Sequence, residues 1–433
     1  MRPSRAIAIG IAVSGLWLLQ LPAWAGQPDA VLRVLVPESW GVAQPLTAGD
    51  RRAVPPSRLW FYDSVQAFRK AVPTAKLEFE AAATEQLAAA FLKTSMAGHP
   101  PDIVVLPNGP QSRLARAGHL APLDRFASDW PDFNEYLLRD NMSVDGKVYL
   151  VPGPIVPHVL LYNKELYAKA GIKEAPKTWD ELIAVAKKLT RDGGRVWGFG
   201  WPAGSAHPAF VAQNLVTLVW QQGGKLEDKG RGLIDTPEMR KAIQLYVQLV
   251  HVHKVMPESA TAWDQQYMAN FRSEKLAMTV RGAEEYAASL PALGAKVGIA
   301  PVPVFRSDER SYTWVDFFGF GMSTRAAEAK PGPAWALLKQ LGSEETFALA
   351  AEHQKAVSPR RSMGQSPIYR SSPEFALQAR YAAEVGRARP PIDEWEAWTD
   401  VLARTVQTAV LRTGKVEDLL PVAQRDYEGR LKR

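Results

Sequence analysis

Short apolar runs alternate with segments of helical periodicity in the first part of the chain. Residues 31–36 form a β-branched run that predicts a strand. Residues 77–80 alternate between apolar and charged residues as a second strand would, and residues 102–106 have the pattern of a buried strand. Between these runs, apolar residues recur at helical spacing over residues 60–71 and 87–96. The order strand, helix, strand, helix, strand predicts a parallel sheet with crossover helices, and therefore an α/β lobe.

The rest of the chain carries weaker periodicity but clear local signals. Asp145 and Gly146 predict a tight turn between two apolar stretches. Thr178 and Glu181 form a capping box at the start of an amphipathic helix. Residues 297–303 are extended and punctuated by proline, which suits a crossing between two lobes, whereas residues 41–58 lack apolar periodicity and predict a loop.

The N-terminus has the pattern of a secretory signal peptide. Arg2 and Arg5 precede an uncharged run over residues 6–21, and a small-x-small cleavage pattern follows at residues 23–25. The alternative is a membrane anchor, but the run is shorter than the roughly 20 residues that a spanning helix needs. We therefore expect residues 1–25 to be cleaved and the mature protein to be periplasmic.

Composition excludes several classes of protein. The chain has no cysteine, which rules out disulfide frameworks, thiolate metal sites and a lipid-modified N-terminal cysteine. Its 433 residues, with 46% hydrophobic and 22% charged content, are typical of a globular protein, and about 150 residues per domain suggests two or three domains. The net charge of +7 is too dispersed for a nucleic-acid surface.

A search for catalytic motifs finds none. There is no Gly-x-Ser-x-Gly elbow, no His-Glu-x-x-His and no phosphate loop. Of seven histidines only His251 and His253 are close in sequence, and on a helix their spacing points them to different faces. We predict no catalytic residue, no metal site and no cofactor. A pair of distant carboxylates, as in glycosidases, stays open.

The fourteen tryptophans are an unusual load. Trp40, Trp201 and Trp314 follow strands or lie in loops, where an α/β lobe holds its ligands. A flat indole face can pack on the apolar face of a sugar ring, so these positions favour a binding cleft. Three others fit helical core faces: Trp179, Trp220 and Trp335.

A series of segments in one order carries a family resemblance. The segments are 101–105, 117–124, 145–152, 161–167, 170–172, 176–182, 277–282, 299–303 and 319–323. Together they resemble the family 1 extracellular solute-binding proteins, the maltose-binding-protein-like receptors of sugar ABC importers. The resemblance extends from about residue 30 to the C-terminus.

The resemblance implies an α/β, two-lobed periplasmic binding protein of type II, with a mainly parallel sheet flanked by helices in each lobe and a ligand cleft at the hinge. By analogy the first lobe comprises residues 26–123 and 299–366, and the second comprises residues 124–298 and 367–433. Such a receptor is a monomer that closes on a small-molecule solute and delivers it to the membrane permease subunits of an ABC importer. It binds no nucleic acid, and a separate subunit hydrolyses ATP.

The resemblance also implies ligand-binding positions. The expected stacking rings are Trp40, Trp201, Trp314 and Trp395, and the expected hydroxyl partners are Glu85, Asn108, Arg281 and Asp316. Glu38 and Trp398 belong to the same set, whereas Trp263 and Trp314 are predicted from their loop positions more than from the family's motif. Two departures stand out, because residues 41–58 are longer than the family's usual loop and residues 314–318 replace a Gly-Gly pair.

Three other functions stay open at this point. Arg281 and the basic balance leave room for an anionic solute such as a sugar phosphate, or for another non-sugar solute. A secreted carbohydrate-active enzyme would also fit the aromatic loops. A receptor that signals to a membrane sensor would have the same sequence features as one that serves a permease.

Overall fold

The computed structural model describes residues 30–263, 266–392, 394–412 and 414–431. The expected signal peptide, residues 1–25, lies outside the described residues. No helix in the described part of the chain combines the length and hydropathy needed to cross a bilayer.

The strands follow the chain from the first described residue to the last third of the protein. They are β1 (Ala30–Pro37), β2 (Ala75–Ala82), β3 (Ile103–Pro107), β4 (Ser143–Val144), β5 (Lys147–Val148), β6 (Leu150–Asn163), β7 (Glu227–Asp228), β8 (Arg231–Gly232), β9 (Met278–Gly282), β10 (Val297–Ala300), β11 (Thr313–Met322) and β12 (Gly386–Arg387).

The helices cover both faces of the sheet strands and dominate the C-terminal part. They are α1 (Ala43–Ala48), α2 (Leu59–Ala71), α3 (Leu87–Met96), α4 (Gln111–Arg116), α5 (Lys164–Lys169), α6 (Trp179–Leu189), α7 (Pro208–Gln221), α8 (Pro237–Val247), α9 (Gln266–Arg272), α10 (Glu284–Leu293), α11 (Thr324–Ala329), α12 (Pro331–Leu341), α13 (Glu344–Gln354), α14 (Pro373–Val385), α15 (Trp395–Val410) and α16 (Val416–Arg430).

The first three strands form the parallel sheet that the alternating pattern predicts. β1 pairs in parallel with β2 on one side and with β3 on the other. β11 then lies antiparallel between β3 and the first half of β6. The predicted parallel crossovers are therefore confirmed, and the antiparallel β11 extends the sheet beyond β3.

The second half of β6 belongs to a different arrangement. There β9 and β10 flank β6, and both run antiparallel to it. The expectation of a mainly parallel sheet in each lobe is wrong for these strands. A buried apolar run predicts a strand but not its direction, and β6 supplies the same long strand to both groups because it passes from one lobe to the other.

Two hydrophobic cores divide the chain. The first core surrounds β1–β3 and α2, and the second surrounds α6–α8 and α15; we call the bodies around them lobe one and lobe two. Trp130 and Tyr136 belong to the first core, where Trp130 packs on Trp335 of α12 at 5.5 Å. Ile299 and Val302 belong to the second core.

These memberships differ from the expected boundaries at residues 124, 299 and 367. The chain leaves lobe one within β6, returns along β11, and leaves it again after α14, whose Phe375 and Ala379 lie in the first core. Sequence motifs mark where strands begin, but the packing of aromatic side chains decides to which core a segment belongs.

The predicted turn and helix cap are confirmed, whereas the predicted loop is wrong. Asp145 and Gly146, with φ of 49° and 80°, form the predicted turn between β4 and β5. Thr178 caps α6 by accepting a hydrogen bond from the Glu181 amide at 3.2 Å, while Glu181 accepts from the amide of Lys177. Residues 41–58, expected to be a loop, instead contain α1 and two short 3₁₀ turns. The loop prediction was wrong because short helices need tertiary packing more than periodicity.

Candidate functional site

Two adjacent strands carry the chain between the lobes. β6 and β11 pair side by side at Pro157 and Val315. One residue further along each strand, His158 Nε2 lies 3.0 Å from Asp316 Oδ2. The histidine side chain is 2% exposed and the aspartate side chain is 37% exposed, so the pair joins the buried hinge to the solvent-accessible space between the lobes.

Asp316 is the most connected polar side chain at the hinge. Its Oδ1 accepts hydrogen bonds from Trp314 Nε1 at 2.6 Å and from Gln213 Nε2 at 3.2 Å. Burial alone would raise its pKa, but the hydrogen bond from His158 and the positive charge of Arg281 hold the pKa of Asp316 below its ordinary value. The carboxylate is therefore ionised and fixed in one orientation.

His158 is neutral in this arrangement. Burial lowers its pKa, and the hydrogen bond and charge of Asp316 only partly oppose that effect. Since the ring nitrogen Nε2 faces a carboxylate, it carries the proton, and Nδ1 is then a buried acceptor without a partner. The His158–Asp316 pair therefore carries one negative charge, on Asp316.

Lobe two supplies a cation and a second carboxyl group. Arg281, in β9, places its guanidinium carbon 3.4 Å from the centre of the Phe210 ring and donates to Gln213 Oε1 at 3.3 Å. Burial raises the pKa of nearby Glu284 to about 7, although Arg281 opposes the shift. The Oε2 atom of Glu284 is buried without a hydrogen-bond partner.

On the lobe-one side of the hinge, the loop that follows β3 contacts Arg389. The carbonyl of Asn108 accepts from Arg389 Nη1 at 3.3 Å, and its side-chain oxygen accepts from Gln111 Nε2 at 3.4 Å. Gly109 has φ of 130°, and a Cβ there would lie 2.3 Å from the Arg389 guanidinium carbon. Glycine is needed at this position because the arginine packs directly on the backbone.

A partly buried arginine lies on the lobe-one side. Arg58 precedes α2 and lies 5.0 Å from the centre of the Trp40 ring. Burial lowers its pKa to about 10, and the charge of Glu284 on lobe two opposes that shift. The segment that was expected to be a loop therefore brings a cation to face the Glu284 carboxyl group.

Four tryptophans from three segments stack in series beside the hinge. Trp220 and Trp314 have ring centres 6.1 Å apart, Trp314 and Trp395 are 5.9 Å apart, and Trp395 and Trp398 are 5.1 Å apart. All three pairs are close to parallel, with interplanar angles of 20°, 24° and 30°. The Arg389 guanidinium lies 4.7 Å from the Trp395 ring centre and covers it.

A groove of about 600 Å³ opens at this junction. Residues 134–141 of lobe one, Trp220 of lobe two and the connecting residues 386–391 line it. Another cavity, of about 580 Å³, lies between α8 and the start of α16 and contains none of the predicted ligand residues. Among the described residues, no three histidine, aspartate or glutamate side chains converge to hold a metal ion.

Comparison with known proteins identifies the family. The model of the bacterial extracellular solute-binding protein family matches residues 63–377. The chain belongs to this family. The diacetylchitobiose-binding protein DasA of Streptomyces coelicolor is 25% identical to it over 86% of each chain.

Solved structures share the fold. The maltose-bound protein MalE3 of T. maritima has a TM-score of 0.75 at 22% identity, covering 92% of this chain and 99% of its own. The cyclic α-maltosyl-1,6-maltose-binding protein of Arthrobacter globiformis has a TM-score of 0.77 at 18% identity, covering 94% and 100%. The predicted two-lobed, maltose-binding-protein-like fold and the predicted solute-binding family are thus confirmed.

Five of the predicted ligand residues lie at the hinge and its two walls. Trp314 and Asp316 are hydrogen-bonded to each other, Arg281 reaches the same glutamine as Asp316, and Arg389 joins Trp395 to Asn108. Because these residues come from four separate segments, their convergence is a property of the fold rather than of any one motif.

Three of the predicted tryptophans have a different placement. Trp40, Trp201 and Trp398 are fully buried. Trp40 packs against Trp60, Phe61 and Phe318, whereas Trp201 packs against Trp179, Phe199 and Tyr246. Other aromatic rings surround the first two, and Trp398 lies at the core end of the stacked series, so these three are core residues and offer no ring face to a ligand.

The remaining predicted residues lie away from the hinge. Trp263 is buried in lobe two, where a Cβ on Gly200 would lie 2.8 Å from its ring. Glu38 and Glu85 are exposed on lobe one, next to a hydrogen bond of 3.1 Å between Ser39 and Thr84. No contact links these carboxylates to the hinge network within the described part of the chain.

Several hinge residues were not predicted from the sequence. His158, Gln213 and Phe210 have no motif, since each lies within an apolar strand or helix. Arg387 and Arg389 carry a detectable signal, because they alternate in an extended segment just before the aromatic pair of α15.

Proposed function

We propose that this protein is the substrate receptor of an ABC importer and that it captures a carbohydrate between its lobes. The observation that carries the proposal is the contact between stacked tryptophans and a fixed carboxylate at the hinge. Trp314 stacks on Trp395 and donates its indole N–H to Asp316. A sugar presents an apolar face and a rim of hydroxyl groups, which need an aromatic ring beside hydrogen-bond acceptors.

Lobe opening would make these groups available. β6, β11 and the segment after α14 connect the lobes, and rotation about such connections is the usual hinge motion of two-domain binding proteins. Arg389 contacts lobe one through Asn108 and covers Trp395 of lobe two. Separation of the lobes would uncover the Trp395 face, and a sugar ring would then take the place of the guanidinium.

The relatives support the same ligand class. The protein similar to this chain from Streptomyces coelicolor is named for diacetylchitobiose, and the two solved structures are named for maltose and a cyclic maltosyl saccharide. We infer a mono- or oligosaccharide ligand for this chain. We also infer that the loaded receptor docks on membrane permease subunits and that it has no catalytic role.

The proposed location is the periplasm. The family is extracellular, and the N-terminal pattern of residues 1–25 fits a cleaved signal peptide. Since the chain has no cysteine to carry a lipid, we propose a freely diffusing monomer after cleavage. Expression with the native N-terminus, followed by fractionation and mass measurement of the mature protein, tests this part of the proposal.

Tryptophan fluorescence provides the test of function. The mature protein is titrated with a panel of neutral and acidic mono- and oligosaccharides, and the hits are repeated with Trp395→Ala. A matched control is Trp197→Ala, a partly buried tryptophan of lobe two outside the hinge. We expect saturable binding that the first substitution abolishes and the second preserves. Binding only to amino acids, polyamines or other non-sugar solutes would overturn the proposal, and release of shortened saccharide would replace it with an enzyme.

A further inference from the structure

The interlobe groove is strongly cationic. Arg139, Arg361, Arg387 and Arg389 line it, and Asp140 is the carboxylate among the lining residues. Arg139 already contacts Asn134 at 3.1 Å and lies 3.9 Å from Asp124. Arg361 is exposed, whereas Arg387 and Arg389, in the connecting residues 386–391, are partly buried where they line the groove.

Arg389 is a largely buried cation whose neighbouring carboxylate is mostly exposed to solvent. Its side chain is only 12% exposed, and its hydrogen bond is to the neutral carbonyl of Asn108 at 3.3 Å. The nearest carboxylate, Glu396, lies 3.8 Å away and is 74% exposed. The Arg389 Nε is buried without a partner, and burial lowers the pKa of Arg389 to about 10. A buried guanidinium in this state is destabilised until an anion reaches it.

Arg387 presents its edge to the same groove. Its guanidinium carbon lies 3.6 Å from the Tyr312 ring centre and 5.8 Å from that of Trp220. A guanidinium stacked by its face on aromatic rings keeps its N–H groups at the edge free for an acceptor. Within the described residues, no carboxylate pairs with Arg387, and the adjacent Ala388 is buried and adds no polar group.

The acidic groups of the hinge already have hydrogen-bond donors or a cation beside them. Asp316 accepts from His158, Trp314 and Gln213. Arg281 lowers the pKa of Glu284, which its burial raises. The carboxyl groups of the hinge thus lie beside partners of their own, whereas Arg389 lies near the exposed Glu396 and Arg387 is stacked on an aromatic ring.

We propose that the captured saccharide is acidic and that Arg387 and Arg389 hold its oxyanion group in the interlobe groove. This inference rests on the proposed carbohydrate function and specifies the ligand class. The shared chemistry is an oxyanion on a sugar, either the carboxylate of a uronic acid or a phosphate ester. Both accept paired N–H bonds from the planar guanidinium fork, while the stacked tryptophans contact the sugar rings.

Calorimetric titration of the mature protein tests the inference with digalacturonate, glucose 6-phosphate, cellobiose and inorganic phosphate. Hydrogen bonds to charged groups imply that an acidic sugar binds about 10- to 100-fold more tightly than a neutral one. Arg389→Met and, separately, Arg387→Met are expected to remove that preference. Arg113→Gln, which changes an exposed arginine of α4 outside the groove, is expected to retain it.

The four titrations distinguish the proposal of an acidic ligand from the proposed carbohydrate function. Tighter binding of digalacturonate supports the carboxylate, and tighter binding of glucose 6-phosphate supports the phosphate ester. Equal or tighter binding of cellobiose would overturn the acidic ligand but leave the carbohydrate function intact. Binding of inorganic phosphate with no response to any sugar would overturn both. A preference that survives in both arginine variants, with folding verified by circular dichroism, would show that these residues do not hold the anion.

Discussion

The Asp316 carboxylate should stabilise the hinge, and two substitutions of it should destabilise the protein by different amounts. Asp316 accepts from Trp314 Nε1 at 2.6 Å, His158 Nε2 at 3.0 Å and Gln213 Nε2 at 3.2 Å. Asp316→Ala removes every acceptor, while Asp316→Asn keeps one oxygen of nearly the same geometry. The two variants therefore test whether the network itself holds the connecting strands.

The expected loss in the free energy of unfolding depends on the hydrogen-bond donors that Asp316→Ala leaves without an acceptor. Trp314 and His158 are buried, and a buried donor without an acceptor costs about 1–3 kcal/mol, so Asp316→Ala should lower the free energy of unfolding by about 2–5 kcal/mol. Water can reach part of the site, because the aspartate side chain is 37% exposed, which favours the lower half of this range. Asp316→Asn retains the bonds to Trp314 and Gln213, so we expect a loss of about 1–2 kcal/mol.

Urea unfolding followed by tryptophan fluorescence measures both values. Asp308→Asn is the matched control, since that side chain is 66% exposed, and its effect should stay within about 0.5 kcal/mol. If Asp316→Ala destabilised the protein no more than Asp308→Asn did, the hinge network would not be a stabilising element, and the reasoning would fail. Equal losses for the alanine and asparagine variants would show that charge, not hydrogen bonding, matters.

Three further predictions concern titration and packing. Burial lowers the pKa of His158, so the unfolded chain binds a proton at higher pH than the folded chain does. The free energy of unfolding should therefore fall as pH drops below about 6.5. Urea titrations at several pH values should show a weaker pH dependence for His158→Gln. Burial raises the pKa of Glu284 to about 7, so the stability that its protonated form contributes is complete in acid and is lost as pH rises to neutrality. Glu284→Gln should therefore raise the free energy of unfolding more at pH 8 than at pH 5. An equal effect at both pH values would show that the pKa of Glu284 is not raised. A Cβ on Gly198 would lie 2.0 Å from a backbone oxygen of α6, so Gly198→Ala should lower the free energy of unfolding by at least about 1–3 kcal/mol or prevent folding. A Cβ on Gly364 would have no atom within 4 Å, so the control Gly364→Ala should unfold at the wild-type temperature in calorimetry.

Local patterns predicted the parts of the fold that local physics determines. β1, β2 and β3 pair in parallel because crossover helices leave no other short connection. The Thr178 cap forms as expected, since its partner is three residues away. The direction of β9 and β10 against β6 could not be predicted, because pairing depends on where the chain re-enters the second lobe.

The candidate site was predicted only in part, for a related reason. Trp40 follows a strand, as a ligand-stacking residue would, but its ring turns inward onto Trp60 and Phe318, which is distant in sequence. Arg389 reaches Asn108 from the far end of the chain. A sequence shows that a side chain follows a strand, but not which neighbour from another segment covers it.

A crystal structure of the mature protein with its tightest-binding saccharide would show directly whether the hinge binds sugar. We expect the sugar between the lobes, with a ring on the face of Trp395, a hydroxyl group on Asp316 and the Arg389 guanidinium displaced from its present position. A saccharide bound elsewhere, for example in the cavity beside α8, or one that leaves the hinge residues untouched, would contradict this expectation.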